Sequence, residues 1–198
     1  MYHPQITLIT RNGTERANRS GVWNQIPICK FESVKSAADI MKTLFLLRHA
    51  KAENLTPGST DLERTLKEAG RRQAKGLGTL LKQQNLTLDL VLCSTAVRAQ
   101  ETTELLLASA EATVAAHYDQ AIYEAGPTIL LQLISQIEDS ANTVLVVGHN
   151  PGMEELVQLL TNRAEQMSTC TLAKITFETN DWNEVTPGNG TLEQLVRP

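Results

Sequence analysis

Only three cysteines, Cys29, Cys93 and Cys170, occur in the 198 residues. They are far apart and odd in number, which excludes a disulfide framework and a cysteine-based metal cluster and points to a reducing compartment, the cytoplasm. Positive charge is also in short supply, since 18 Lys and Arg against 22 Asp and Glu leave a formal net charge of -4. Nucleic acid and anionic membrane select a basic face, so neither is an expected partner. An anionic substrate would need arginine concentrated in one place. No apolar run reaches the length of a membrane-spanning helix, and the first forty residues lack the apolar block of a secretory signal. Repeats and low-complexity tracts are missing too. What is present, 41% hydrophobic and 20% charged residues, fits one ordinary globular domain with a full core, expected as a monomer.

Residues Met1 to Ile40 are polar and aperiodic and fit no helix or strand template. They are expected to be a poorly ordered extension ahead of a misassigned start, with a regulatory arm or targeting segment as the alternative. At Met41 the character changes, and Leu44-Phe45-Leu46-Leu47 forms an unbroken apolar run. From there short apolar runs alternate with longer amphipathic segments. That alternation predicts an α/β fold, a three-layer α/β/α sandwich with a mostly parallel central sheet, occupying residues 41–198. Strands are expected to end at Arg48-His49, Cys93-Ser94, His117 and Val147. Helices are expected over Leu66 to Gln84, with a capping box from Thr65 and Glu68, over Ala96 to Ala108, over Pro127 to Ile137, and from Asn150-Pro151 to Leu160. Alternation in Thr171 to Phe177 and Leu192 to Val196, joined through Pro187-Gly188-Asn189-Gly190, predicts an antiparallel C-terminal edge.

In open α/β sheets, ligands bind beyond the carboxyl ends of the parallel strands, where helix N-termini also point. The first strand delivers Arg48 and His49 to this rim, the second delivers Arg98 one short turn later, and the fourth delivers His149. Taken singly, each has an ordinary structural explanation: a strand-end histidine is often just hydrogen-bonded, and a surface arginine is usually solvated. Three strand ends supplying cationic groups to one rim of an acidic chain favour anion binding instead.

Leu46-Leu47-Arg48-His49-Ala50 resembles the Arg-His-Gly signature of the histidine phosphatase and phosphoglycerate mutase superfamily. Ser94-Thr95-Ala96-Val97-Arg98-Ala99-Gln100-Glu101-Thr102 is similar to that family's second motif, and Val146-Val147-Gly148-His149-Asn150 to its second histidine block. Asp61-Leu62-Glu63-Arg64-Thr65-Leu66 followed by Gly70 resembles the small SixA-like branch of phosphohistidine phosphatases. Ala50 departs from the common glycine and is expected to narrow the pocket slightly. The resemblance implies a covalent phosphohistidine intermediate on His49, no metal and no cofactor. It implies a phosphate clamp of Arg48, Arg98 and Arg64, His149 as a hydrogen-bond donor to the phosphoryl oxygens, and Glu124 near the position of a proton donor. Asp61 is a weaker candidate for positioning Arg64.

The residue types suit that chemistry. A neutral imidazole nitrogen attacks phosphorus while its other nitrogen, held by a backbone carbonyl, fixes the tautomer. Guanidinium groups match the spread charge of a transferring phosphoryl group. A cysteine phosphatase built on Cys93 and Arg98 would have a phosphate loop one residue too short, and a metal hydrolase lacks paired histidines and a carboxylate cluster. A non-catalytic phosphate-binding module is the reading from another class. The short segment between Thr113 and Pro127 predicts an open site that accepts phosphohistidine in a protein, with small phosphate esters as the alternative partner.

Overall fold

The computed structural model describes residues 41–197, and the expectations for residues 1–40 lie outside them. The order of elements is β1 (Lys42–Arg48), α1 (Glu68–Gln83), β2 (Leu90–Ser94), α2 (Val97–Ala110), β3 (Ala116–Asp119), α3 (Pro127–Ile134), β4 (Thr143–Gly148), α4 (Gly152–Thr161), β5 (Leu172–Phe177) and β6 (Thr191–Val196). The strands form one sheet in the order β3-β2-β4-β1-β5-β6. The first four positions are parallel, and β5 and β6 are antiparallel additions. The expected α/β class with an antiparallel C-terminal edge is the one observed.

Strand pleating explains the layers. Successive side chains of a strand point to opposite faces, so Leu44 and Leu46 of β1 join one core while Phe45 and Leu47 join the other. On the first face they meet Leu130 and Ile134 of α3 and Met153, Leu156 and Leu160 of α4. On the second face they meet Ala74, Leu77 and Leu81 of α1 and Ala99, Leu106 and Leu107 of α2. The middles of the central strands, Leu44-Phe45-Leu46-Leu47 of β1 and Val144-Leu145-Val146-Val147 of β4, are apolar because both of their faces are covered.

Two helix starts differ from expectation. No capping box forms at Thr65 and Glu68: α1 begins at Glu68 behind Lys67, without a side-chain cap. Residues 64–67 are instead tied to the loop after β1, where Leu66 bridges Ala52, the Thr65 carbonyl accepts from Glu53 N–H and Lys67 N–H donates to the Lys51 carbonyl. That pairing keeps Thr65 extended. A reciprocal polar pair does occur five residues earlier, where the Glu63 carboxylate accepts from Thr60 N–H at 2.9 Å and from its hydroxyl at 2.8 Å. At α4 the cap is Pro151 rather than Asn150. The Asn150 side chain is oriented by its Nδ2, which donates to Glu154 at 2.6 Å and to the Met167 carbonyl at 3.0 Å, and the Oδ1 that a cap would use accepts no bond among the described residues. α3 also ends sooner, at Ile134 rather than Ile137.

Two glycines permit close approaches that shape the rim. A Cβ on Gly70 would lie 2.1 Å from the Lys51 carbonyl oxygen, and one on Gly152 would lie 1.9 Å from that of Ala125. No side chain fits at either distance, so glycine lets α1 press against the loop after His49 and lets α4 press against the loop carrying Glu124.

Candidate active site

Register brings the two histidines together. β1 and β4 are adjacent and parallel with Arg48 opposite Gly148, and His49 N–H donates to the Gly148 carbonyl at 3.0 Å. The next residue of each strand is a histidine, and the two rings stand 5.1 Å apart. β2 lies on the far side of β4, so the start of α2 directs Arg98 at both rings from the neighbouring strand end. A cavity of about 320 Å³ opens there, lined by Arg48, His49, Arg64, Arg98, Glu124 and His149, together with Asp61. All six residues expected from sequence therefore share one pocket. Ala50 does not line it. The Ala50 side chain is fully buried in the α1/α2-side core, so the expected narrowing does not occur.

The hydrogen bonds define the ring tautomers. His49 Nδ1 lies 2.8 Å from the Ala50 carbonyl, which can only accept, so Nδ1 carries the proton. Nε2 is left with a free lone pair, and Arg98 Nε donates to it at 3.3 Å. His149 Nδ1 likewise faces a donor-only group, Arg98 Nη2 at 3.3 Å, so its proton sits on Nε2 and is donated to the Ser94 hydroxyl at 2.8 Å. Sequence reasoning misses this part played by Ser94, although a polar residue ending a buried strand is a usable signal.

Asp61 is more central than the sequence suggests. It opens a short 3-10 turn, Asp61–Glu63. Its carboxylate accepts from Arg64 Nη1 at 2.6 Å, Arg98 Nη2 at 2.8 Å and the Tyr123 hydroxyl at 2.9 Å, and its carbonyl accepts from Arg98 Nη1 at 2.6 Å. Partial burial pushes its pKa up, but the bonds from Arg64 and Tyr123 and the charge of Arg98 prevail and bring it to about 2. Arg48 donates from Nη1 to the Met167 carbonyl at 2.8 Å, while its buried Nε has no partner among the described residues. The loop before β5 is fastened above by Cys170 N–H, which donates to the carbonyls of Arg48 and His49, both at 3.1 Å. Glu124 is exposed and has a φ of 52°, in the left-handed region that non-glycine residues seldom occupy.

Cys93 does not face the cavity. It is fully buried beside Thr103, and burial pushes its thiol up to about 12, which removes the thiolate that a cysteine nucleophile needs. Among the described residues, no group of three or more His, Cys, Asp or Glu side chains is disposed to hold a metal ion, and no helix is long and apolar enough to cross a membrane.

Both site histidines are held neutral. Burial drives the His49 pKa down to about 4, opposed by the Ala50 bond and aided by the charges of Arg98, Arg48 and Arg64. Burial, then His49 and Arg98, takes His149 to about 3. In the unfolded chain both rings take up protons near pH 6.5, so between that pH and about 4 the unfolded state binds more protons and stability falls as pH falls. The loss is on the order of 3 kcal/mol for His49, which lowers the melting temperature by roughly 5–10 °C. Thermal melts from pH 6.5 to 4 check this, and a His149→Gln variant should show a shallower slope. Equal slopes would count against a buried neutral His149.

The family model of the histidine phosphatase superfamily (branch 1) matches residues 44–126. An uncharacterized protein of Mycobacterium tuberculosis is 36% identical over 114 residues, 58% of this chain and 69% of that relative. Among solved structures, a protein from Agrobacterium tumefaciens assigned as the phosphohistidine phosphatase SixA is 27% identical with a TM-score of 0.70, covering 79% of this chain and 98% of that one. A second, from Nakamurella multipartitia and assigned likewise, is 25% identical with a TM-score of 0.70, covering 80% of this chain and 96% of that one. These matches, on a sheet that gathers two imidazoles and three guanidinium groups at one rim, make the chain a phosphatase. It belongs to the histidine phosphatase superfamily, in the SixA-like branch.

Proposed function

We propose that the chain removes phosphoryl groups from phosphohistidine in a protein, through a covalent phosphohistidine on His49. His49 Nε2 attacks phosphorus as the leaving group departs, and water then cleaves the new P–N bond. Neutrality to about pH 4 keeps that lone pair available across the physiological range. Arg48, Arg64 and Arg98 hold the phosphoryl oxygens, and the unpartnered Nε of Arg48 is a buried donor that such an oxygen would satisfy. His149 joins them as a donor once the phosphoryl group draws Arg98 Nη2 off its Nδ1 and the ring proton moves there from Nε2, a shift that the Ser94 hydroxyl permits because it can donate as well as accept. The SixA assignment of the two solved relatives supports the substrate class. A cytoplasmic, reducing setting accords with Cys93 and Cys170 as buried free thiols.

The observation that carries the choice of substrate is the state of the carboxyl groups. Asp61 is held ionised by Arg64, Arg98 and Tyr123, which leaves the exposed Glu124 as the cavity's other carboxyl and its one candidate acid among the described residues. An alkoxide leaving group needs an acid, whereas imidazole leaves far more easily. A phosphorylated histidine domain should therefore exceed aryl and alkyl phosphates in kcat/KM by roughly 100-fold or more. Glu124→Gln should slow ester hydrolysis about tenfold or more and leave the phosphohistidine reaction nearly unchanged. Faster turnover of alkyl esters by the unaltered protein would instead favour the small-molecule reading.

A further inference from the structure

We infer that Asp61 is a built-in counter-anion of the phosphate clamp, positioning Arg64 and Arg98 and holding the affinity of the site for phosphate down so that product leaves. The inference rests on those two arginines being the clamp. Its first support is the bonding. One carboxylate ties Arg64 at 2.6 Å to Arg98 at 2.8 Å, and the Asp61 backbone carbonyl holds a second nitrogen of Arg98 at 2.6 Å. Arg98 is thereby fixed with its remaining edge toward His49 and His149. The second support is that the carboxylate is itself built in. It starts the 3-10 turn whose preceding residue, Thr60, is locked to Glu63, and it takes a third bond from Tyr123 at 2.9 Å.

The balance of charge gives the consequence. Arg48, Arg64, Arg98 and Lys51 against Asp61 and Glu124, around two neutral imidazoles, give the cavity lining a formal charge of +2, matching a phosphate dianion. Without Asp61 the sum is +3, and both guanidinium groups lose the anion that competes with phosphate for their N–H bonds. A unit charge within a few ångströms of a partly buried anion changes its affinity by roughly tenfold or more. Hydrolysis leaves inorganic phosphate in the clamp, so excess affinity would appear as product inhibition.

The test is calorimetric titration of the full chain with inorganic phosphate, alongside phosphate inhibition of turnover. Asp61→Asn keeps the shape and removes the charge, and should tighten phosphate binding about tenfold or more, with a smaller gain at high salt. It should also lower the inhibition constant in proportion. Asp61→Glu restores the charge and should bring affinity back toward the original value. Asp61→Ser provides a second neutral variant should the Asn form melt early. Unchanged or weaker phosphate binding in the neutral variants would overturn the inference, since a purely structural aspartate predicts weakening as the arginines splay. A loss confined to ester turnover, with unchanged affinity, would make Asp61 a proton donor instead. Phosphate binding is read without any phosphohistidine substrate, so failure of the substrate assignment leaves this result interpretable.

Discussion

His49→Ala should take up no acid-labile, alkali-stable phosphate from a phosphodonor and should lose turnover by roughly 10⁴-fold or more, as removal of a covalent nucleophile does elsewhere. In the proposed reaction the two ring nitrogens of His49 have separate tasks. Nδ1 is committed to the Ala50 carbonyl at 2.8 Å, so only Nε2 can reach phosphorus, and it is the nitrogen that faces Arg98 inside the cavity. His149 is the nearest rival, with its ring 5.1 Å away. Its Nε2 is engaged with Ser94 and its Nδ1 with Arg98. Mapping the label in the unaltered protein separates the two rings, and persistent labelling of His49→Ala would move the nucleophile elsewhere. His49 is only 8% exposed and its removal strands Arg98 Nε, so the melting temperature should be measured alongside. His49→Asn keeps a polar group in the space, and a folded Asn variant without labelling gives the cleaner result.

The central parts of this site are legible in the sequence because they follow from strand chemistry. Leu44 to Leu47 and Thr143 to Val147 read as doubly covered strands, and two parallel strands of one sheet deliver their next residues to the same rim. The convergence of His49 and His149 therefore needs only the order of elements. Arg98 follows from a short turn between a strand and a helix. What stays illegible depends on loops crossing long stretches of sequence. The bonds of Asp61 to Arg98 span 37 positions, and nothing in the local pattern at Asp61 signals them. The start of α1 falls at Glu68 rather than beside Thr65 because, although Thr65 has the right side chain for a cap, a bridge between Ala52 and Leu66 claims the backbone. Asn150 differs in part: its Nδ2 is held by Glu154, a local partner four residues on, and by the carbonyl of Met167, which the fold brings near, and the Oδ1 that a cap would use is left without a partner among the described residues. At Thr65 local propensity loses to backbone pairing across the fold, and at Asn150 to a local and a tertiary hydrogen bond together.

Arg98→Ala should lower kcat/KM by about 10³-fold, and Arg98→Lys should recover only a minor part of that. The reason is the number of tasks that one planar group performs. Its nitrogens reach His49, His149, and both the carboxylate and the carbonyl of Asp61. A lysine ammonium offers a charge but cannot hold those directions at once, so the phosphoryl oxygens would meet a clamp of the right sign and the wrong geometry. Single-turnover labelling of His49 should slow in parallel with turnover, because the loss falls on transfer to the ring. Arg98 is 4% exposed, and deleting it leaves the Asp61 carboxylate with one fewer cation, so the Ala variant should also lose stability, on the order of 2–4 kcal/mol. Combining Arg98→Lys with Asp61→Asn separates the two effects. If Asp61 acts on phosphate through Arg98, Asp61→Asn should tighten phosphate binding by a smaller factor in the Arg98→Lys background than in the unaltered protein, a coupling readable from the four phosphate affinities of the cycle. Additive effects would mean that Asp61 reaches phosphate through Arg64, its other partner at 2.6 Å.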